Sequence, residues 1–154
     1  MGRIAVVAMP DEVRLAEGYR HVIVTGVGSL NVIEALSFLD KDTPIANIGY
    51  AGSNSIPKGR RVRIGTVMTY HPNVRFEEPA YALDGDTPCY TSSDFVTHTD
   101  ITEPCAFDME LAYILAMGFT DVISEKVISD NLNVTEFEES VKDGKVVSLS
   151  KRVP

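Results

Sequence analysis

Four acidic residues stand where a carboxyl group could transfer protons. Glu12 follows the first apolar run of the chain, and Asp130 follows the end of a predicted strand at residues 120–129. Asp108 and Glu110 flank Met109 at the start of a predicted helix. An acid in the first turn of a helix or at a strand end often only caps the backbone, so none of the four is decisive alone. Together they could supply both the acid and the base of a reaction.

The segment Gly26-Val27-Gly28-Ser29 could bring backbone close to a ligand. Glycine lacks a Cβ atom, and the amides of such a turn can face an anion at the start of the following helix. The segment resembles the beginning of a dinucleotide-binding fingerprint, but Asn31 stands where the third glycine belongs. A dinucleotide-dependent oxidoreductase is therefore a weak alternative, and a simple strand-to-helix turn explains the glycines equally well.

Alternating strands and helices must position these residues. Apolar, β-branched runs predict strands at residues 3–9, 21–25, 44–48, 62–70, 89–92 and 120–129. Helical spacing predicts helices at residues 29–39, 108–117 and 135–142, with a turn or short helix after residue 10 and a terminal strand or frayed tail at 143–154. This alternation predicts one α/β domain over residues 1–154, with a central, largely parallel or mixed sheet flanked by helices. Ligands of such sheets bind beyond the carboxyl ends of strands, where the loops 10–12, 26–29, 49–52 and 130–131 are expected.

The composition narrows the class of partner. The chain has 154 residues, of which 44% are hydrophobic and 23% charged, and no apolar run approaches the roughly 20 residues of a membrane helix. The net charge of −8 argues against a nucleic-acid polymer and leaves a small molecule as the expected partner. Cys89 and Cys105 form no paired motif and predict reduced thiols in a cytoplasmic protein. The three histidines lack the spacing of metal ligands, so no metal site is expected.

Several segments, in this order along the chain, resemble the nucleoside phosphorylase and nucleosidase superfamily, which includes the 5′-methylthioadenosine nucleosidases. They are IAVVAMPDEV, VTGVGSLNVIEAL, ANIGYAGSNSIPKGRRVRIGTVMTYH, TSSDFV, FDMELAYILAMGF and VISEKVISDN. The helix with Met-Glu, followed by the strand ending in Ser-Asp, is the most specific match. The resemblance implies a phosphorylase/hydrolase-like fold and cleavage of the N-glycosidic bond of a purine nucleoside.

The resemblance also implies roles for the matched residues. Asp130, oriented by Ser129, would protonate or hydrogen-bond N7 of the purine, and Glu12 would activate water. Glu110 would hold the ribose hydroxyls. The remaining contacts to base and sugar are expected from Met109, Phe95, Val96, Gly26, Gly28 and Gly49.

The chemistry explains these residue types. A purine anion is a poor leaving group, and protonation at N7 lets the base leave as a neutral molecule. Carboxylates near the sugar favour the positive charge that develops as the bond lengthens. Water is favoured over phosphate because Pro10-Asp11-Glu12 stands where phosphorylases bind phosphate, and negative charge would repel it. The hydrolase needs no cofactor, whereas a phosphorylase would need inorganic phosphate.

Two departures from the family pattern keep alternatives open. Eight residues separate Glu12 from His21, where the family has a β-hairpin, and Tyr50 replaces a small hydroxyl residue of many members. The alternatives are a phosphorylase that yields sugar 1-phosphate and a nucleoside-binding module without catalysis. The resemblance further implies a homodimer or larger homo-oligomer, in which residues 71–81, with Phe76 and Tyr81, would complete a neighbouring pocket.

Overall fold

One mixed β-sheet organises the chain. The computed structural model describes residues 2–71 and 81–144. Within these ranges the strands are β1 (Ile4–Val7), β2 (His21–Val24), β3 (Ile45–Ser53), β4 (Arg61–Thr69), β5 (Tyr81–Ala82), β6 (Thr87–Thr91), β7 (Ala106–Asp108) and β8 (Val122–Asp130). The helices are α1 (Ser29–Leu36), α2 (Leu111–Ala116), α3 (Val134–Gly144) and a 3₁₀ helix (Pro10–Ala16). None of the helices described there is long and apolar enough to cross a membrane.

The sheet has two connected parts: a group of parallel strands, and a ring of strands in which each one pairs with the next. β1 lies between β2 and β3, and all three are parallel, as are β3 and β8. β6 is parallel to both β4 and β7, whereas β3–β7, β4–β5 and β4–β8 are antiparallel. The pairs β3–β8, β8–β4, β4–β6, β6–β7 and β7–β3 therefore form a closed circuit of five strands. The predicted α/β fold with a mixed sheet is confirmed.

Both faces of the sheet are packed, as the alternation of side chains along a strand requires. Val6 of β1 faces the larger core, which includes Leu36 of α1 and Leu111 of α2. Its neighbours Ala5 and Val7 face a smaller core beneath the 3₁₀ helix. Continuous apolar runs in β1 and β3 therefore follow from burial on both sides.

Two predicted boundaries were wrong. The third strand does not end at residue 48, because β3 continues through the glycine-rich stretch to Ser53. The predicted helix from Asp108 begins only at Leu111, since Asp108 ends strand β7. Strands β5 and β7 were not predicted, because two or three residues are too few for a periodic pattern. The predicted terminal strand at 143–154 and the predicted pocket donor at 71–81 fall largely outside the described residues.

Leu36 offers a test of the larger core, because its side chain is fully buried. We expect Leu36→Ala to lower the free energy of unfolding by about 2–5 kcal/mol, since it removes buried methyl groups and leaves a cavity. Glu34→Ala, at an exposed position of the same helix, should change it by no more than about 0.5 kcal/mol. Urea titration of both variants measures the difference, and equal effects would contradict the assigned packing.

Candidate active site

A cavity of about 200 Å³ lies at the carboxyl ends of β1, β3, β7 and β8. Because β1, β3 and β8 are parallel, their ends meet at one edge of the sheet, as expected for a ligand site in an α/β fold. Its lining includes all four acids singled out from the sequence: Glu12, Asp108, Glu110 and Asp130. Apolar side chains, among them Met9, Val27, Phe95, Phe107, Met109 and Phe137, form most of the remaining wall.

A larger cleft, of about 480 Å³, lies near Arg3, Phe119 and Asp121 and has different chemistry. Its charged groups already pair with each other or with neighbours: Arg3 with Asp121 at 2.8 Å, and Asp84 with Arg63 at 3.0 Å. These pairs are solvent-exposed. Exposed ion pairs of this kind have small interaction energies. The smaller cavity, which contains the buried acids, is therefore the candidate site.

Glu12 lies in the 3₁₀ helix, and its carboxylate is fixed by three backbone amides. Oε1 accepts hydrogen bonds from the N–H groups of Ala8 at 2.8 Å and Met9 at 3.1 Å. Oε2 accepts one from the N–H of Tyr50 in β3 at 2.8 Å. The paired register of β1 and β3 ends at Val6 and Asn47, so the carboxylate bridges the two strands where they separate.

Two glycines of β3 make room for two of the acids. A Cβ atom on Gly49 would lie 2.7 Å from Oε2 of Glu12, and one on Gly52 would lie 2.9 Å from Oδ2 of Asp130. Both distances are too short for any side chain. Glycine inside a strand often marks such a close approach. The predicted loop at Gly49 was wrong: this residue lies within strand β3, next to the carboxyl group of Glu12.

Asp130 ends β8 and is buried. Its Oδ1 lies 2.7 Å from Oγ of Ser129, and its Oδ2 accepts hydrogen bonds from the N–H groups of Leu132 at 2.9 Å and Asn133 at 3.3 Å. Burial raises the pKa of Asp130 and outweighs these hydrogen bonds, which lower it. The Ser-Asp contact predicted from the sequence is present.

Asp108 is buried and fully bonded, and it holds the start of α2. Its Oδ2 accepts the N–H of Leu111 at 2.8 Å and lies 3.1 Å from Nζ of Lys126. Its Oδ1 accepts the hydroxyl of Thr91 at 2.5 Å. The N–H of Glu110 also donates to Oδ2, at 3.3 Å, so Asp108 positions Met109 and Glu110 in the cavity wall.

Glu110 faces the glycine turn that precedes α1. Its Oε2 accepts a hydrogen bond from the N–H of Gly28 at 3.2 Å. Burial, and then the negative charge of Asp108, raise the pKa of Glu110 to about 7. A carboxyl group with this pKa can be charged or neutral near neutral pH, so it can both accept and donate hydrogen bonds.

Lys126 is the buried cation beneath these acids. Burial lowers its pKa, but the negative charge of Asp108 and the other nearby acids outweighs burial and holds the pKa above its ordinary range. Burial raises the pKa of Glu12 to about 7, and the charge of Lys126 opposes that rise. One ammonium group thus partly offsets several buried carboxyl groups, which alone would repel one another.

Only some of the other residues predicted to contact the base or the sugar lie at the cavity. Met109, Phe95 and Ser129 line the cavity. Val96 lies instead beside a small adjoining hollow of about 30 Å³. Gly26 and Gly28 do not line the cavity, although Val27 between them does.

Lys126 and Phe137 were not predicted from the sequence. Lys126 lies within β8, four residues before Asp130, and a lysine inside a buried strand is a detectable signal for a buried ion pair. Phe137 of α3 packs edge-to-face on Phe95, with ring centroids 5.6 Å apart. It was missed because helix spacing does not reveal which neighbour a helix faces. Among the described residues, no group of three or more His, Cys, Asp and Glu side chains is arranged to hold a metal.

The raised pKa of Glu12 predicts a pH-dependent stability. Folding raises this pKa from 4.5 to about 7, so the folded state binds the proton more tightly than the unfolded state. The contribution is present below pH 4.5 and is lost as the pH rises to 7, which should reduce the free energy of unfolding by about 3 kcal/mol.

Glu12→Gln should therefore flatten the decrease between pH 4.5 and 7. Urea unfolding across this range measures the slope, with Glu17→Gln, at an exposed position just after the same helix, as the matched control. An unchanged slope in Glu12→Gln would show that this carboxyl does not carry the effect.

Comparison with known proteins adds evidence on the fold. No protein-family model and no curated protein matches the chain by sequence. Among solved structures, a 5′-methylthioadenosine/S-adenosylhomocysteine nucleosidase of Neisseria meningitidis, in complex with methylthio-immucillin-A, has a TM-score of 0.72 at 18% identity, covering 96% of this chain and 95% of that chain. An MTAN protein of Chlamydia trachomatis has a TM-score of 0.67 at 18% identity, covering 99% and 98%.

A third similar structure is the futalosine hydrolase of Helicobacter pylori. It has a TM-score of 0.67 at 13% identity, covering 92% of this chain and 91% of that chain. At such identities the likeness establishes the fold. The chain therefore has the fold of the 5′-methylthioadenosine/S-adenosylhomocysteine nucleosidases and of futalosine hydrolase, as the sequence resemblance implied.

Proposed function

We propose that this chain hydrolyses the N-glycosidic bond of a purine nucleoside to free base and sugar. The observation that carries the proposal is the burial of Glu12, Glu110 and Asp130 around one cavity, in a chain with the fold of the nucleosidases. Buried acids with shifted pKa values concentrate at functional sites, because catalytic acids and bases need pKa values that match the proton transfer they perform.

Asp130 is the proposed acid. Its raised pKa favours the protonated form that can donate to N7 of the purine. That proton neutralises the base as the bond between C1′ and N9 breaks, so the electron pair of the bond remains on a neutral leaving group. The contacts to Ser129, Leu132 and Asn133 fix the carboxyl group for this transfer.

Glu12 is the proposed base. Water attacks C1′ with its oxygen, and Glu12 takes the proton that the water loses. With a pKa of about 7, a substantial fraction of Glu12 is ionised near neutral pH, and its basicity is well matched to this step. Three backbone N–H groups fix its position.

The sugar belongs between these two groups, beside Glu110. Glu12 and Asp130 both line the cavity, next to Gly49 and Gly52 of β3 respectively. In this arrangement Glu110 accepts hydrogen bonds from the ribose hydroxyls.

The wall chemistry favours an uncharged, aromatic base. Phe95 and Phe137 form an aromatic pair at the cavity, and Met109 supplies a polarisable contact to the sugar. Aromatic faces stack on purines through dispersion and apolar burial. A nucleoside fits this wall better than a nucleotide, whose phosphate would add negative charge beside the carboxyl groups of Glu12 and Glu110.

Water is the proposed nucleophile for the same electrostatic reason. The described residues that line the cavity include four acids and no Arg, Lys or His. A phosphate dianion about 5 Å from one carboxylate, at an effective dielectric near 20, is repelled by roughly 3 kcal/mol per pair of unit charges. The proposed reaction needs no cofactor.

Asp130→Asn tests the proposal. The purified protein is incubated with a panel of purine nucleosides, with and without phosphate, and free base is followed by chromatography. We expect the wild type to release base without phosphate and Asp130→Asn to lower kcat roughly 10²- to 10⁴-fold, because an amide cannot give N7 an acidic proton. Asp40→Asn, at an exposed position after α1, is the matched control.

Each other outcome of that assay points to a different function. Strict dependence on phosphate, with sugar 1-phosphate as product, would replace the hydrolase by a phosphorylase. Binding of a nucleoside without turnover would identify a binding module. Full activity of Asp130→Asn would remove Asp130 from the reaction.

We also propose that a second copy of this chain covers the outer face of α1. Four apolar side chains on and beside this helix are exposed: Val27 (41%), Leu30 (82%), Ile33 (46%) and Phe38 (74%). Val27 also lines the cavity, so this face continues into the candidate site. Burial of such a face in a self-complementary contact is the usual basis of a homodimer.

Leu30→Asp tests the assembly. Light scattering should give about twice the 16.8 kDa of one chain for the wild type and a monomer for Leu30→Asp, because a buried, unpaired charge opposes association. Thr102→Asp, at an exposed position before β7, adds the same charge away from α1 and should stay dimeric. A wild type that is monomeric at working concentration and fully active would contradict this proposal.

A further inference from the structure

Tyr50 contacts the helix of Glu12 in two ways. Its backbone N–H holds Oε2 of Glu12 at 2.8 Å. Its side-chain hydroxyl accepts a hydrogen bond from Nη2 of Arg14, which lies two residues after Glu12 in the same 3₁₀ helix. The guanidinium carbon of Arg14 also lies 5.6 Å from the centre of the Tyr50 ring, within the range of a cation–π contact.

Arg14 has no other strong partner that would explain its position. No carboxylate among the described residues pairs with it, and its Nε is buried without a hydrogen-bond partner there. An arginine held by an aromatic ring and a hydroxyl, and not by an acid, does not depend on the ionisation of a neighbouring carboxyl group for this contact.

The two contacts respond differently to a proton on Glu12. The hydrogen bond from Tyr50 N–H to a carboxylate is charge-assisted and weakens when Glu12 is neutral. Ala16 of the helix also packs with Ala46 and Ile48 of β3 in the smaller core, and this apolar contact carries no charge. The contact between Arg14 and the Tyr50 side chain is unaffected by the proton and therefore persists in both states of Glu12.

We propose that Arg14 and Tyr50 are a positioning pair that keeps the 3₁₀ helix docked on β3 while Glu12 gains and loses its proton. The inference rests on the proposed function, because it concerns the base of that reaction. Neither side chain touches the reacting atoms in this account. Their contribution is to hold the carboxylate at one distance from the attacking water throughout the cycle.

Arg14→Met and Tyr50→Phe test the pair kinetically. Each should lower kcat roughly 10- to 100-fold, since small misplacements of a reacting group have effects of this size, while KM changes by less than about twofold. Arg14→Lys should recover part of the loss, because a lysine can still donate to the hydroxyl. Arg20→Met, which removes an exposed arginine before β2, should leave kcat unchanged.

A second readout needs no turnover. Carboxyl ¹³C NMR of glutamate-labelled protein follows the ionisation of Glu12, whose signal is assigned by its loss in Glu12→Gln. The charged groups that face Glu12 are Lys126 of β8, Asp108 of β7 and Glu110 beyond it, and all three remain in these variants. In Arg14→Met the pKa of Glu12 should fall from about 7 toward 4.5, because a loosened helix admits water to the carboxyl.

The two readouts separate the possible failures. Unchanged kcat and unchanged pKa of Glu12 in both variants, even with lower thermal stability, would overturn the positioning role and leave only packing. If the wild type releases no base but Arg14→Met still lowers the pKa of Glu12, the hydrolase proposal fails while the positioning of Glu12 stands.

Discussion

The buried ion pair between Lys126 and Asp108 is the interaction on which the acid cluster depends. An ammonium group and a carboxylate 3.1 Å apart, both shielded from water, are costly to bury and remain there only when their geometry and hydrogen bonds compensate for lost hydration. Here they do, because Asp108 also accepts hydrogen bonds from Thr91 and Leu111. The same cation lowers the pKa values of Glu12 and Glu110, which burial alone would raise further.

Strand β3 then distributes the acids around the cavity. It contacts Glu12 through the N–H of Tyr50, and its two glycines leave space for Glu12 and Asp130. Any side chain at Gly49 or Gly52 would displace a carboxyl group. Because neither glycine has a side chain, the two carboxyl groups have room beside β3. The parallel pairing of β3 with β1 and β8 brings these acids to the same edge of the sheet.

The sequence predicted the α/β class and the acids, but not the way in which the acids are held. The long apolar strands were recognised because burial on both faces leaves continuous runs, as in β1 and β3. The stretch 49–52 was misread as a loop, because local sequence does not show that a distant carboxyl group needs the space of each glycine. Lys126 and Phe137 were missed for the same reason: their roles depend on Asp108 and Phe95, which are distant in sequence.

The central claim is that Glu12 and Asp130 act on opposite ends of one glycosidic bond. A crystal structure with an uncleavable purine nucleoside analogue tests it most directly. We expect N7 of the base within hydrogen-bond distance of Asp130, and a water molecule bound to Glu12 and facing C1′ of the sugar. An analogue bound with its sugar away from Glu12, or with its base away from Asp130, would contradict the account.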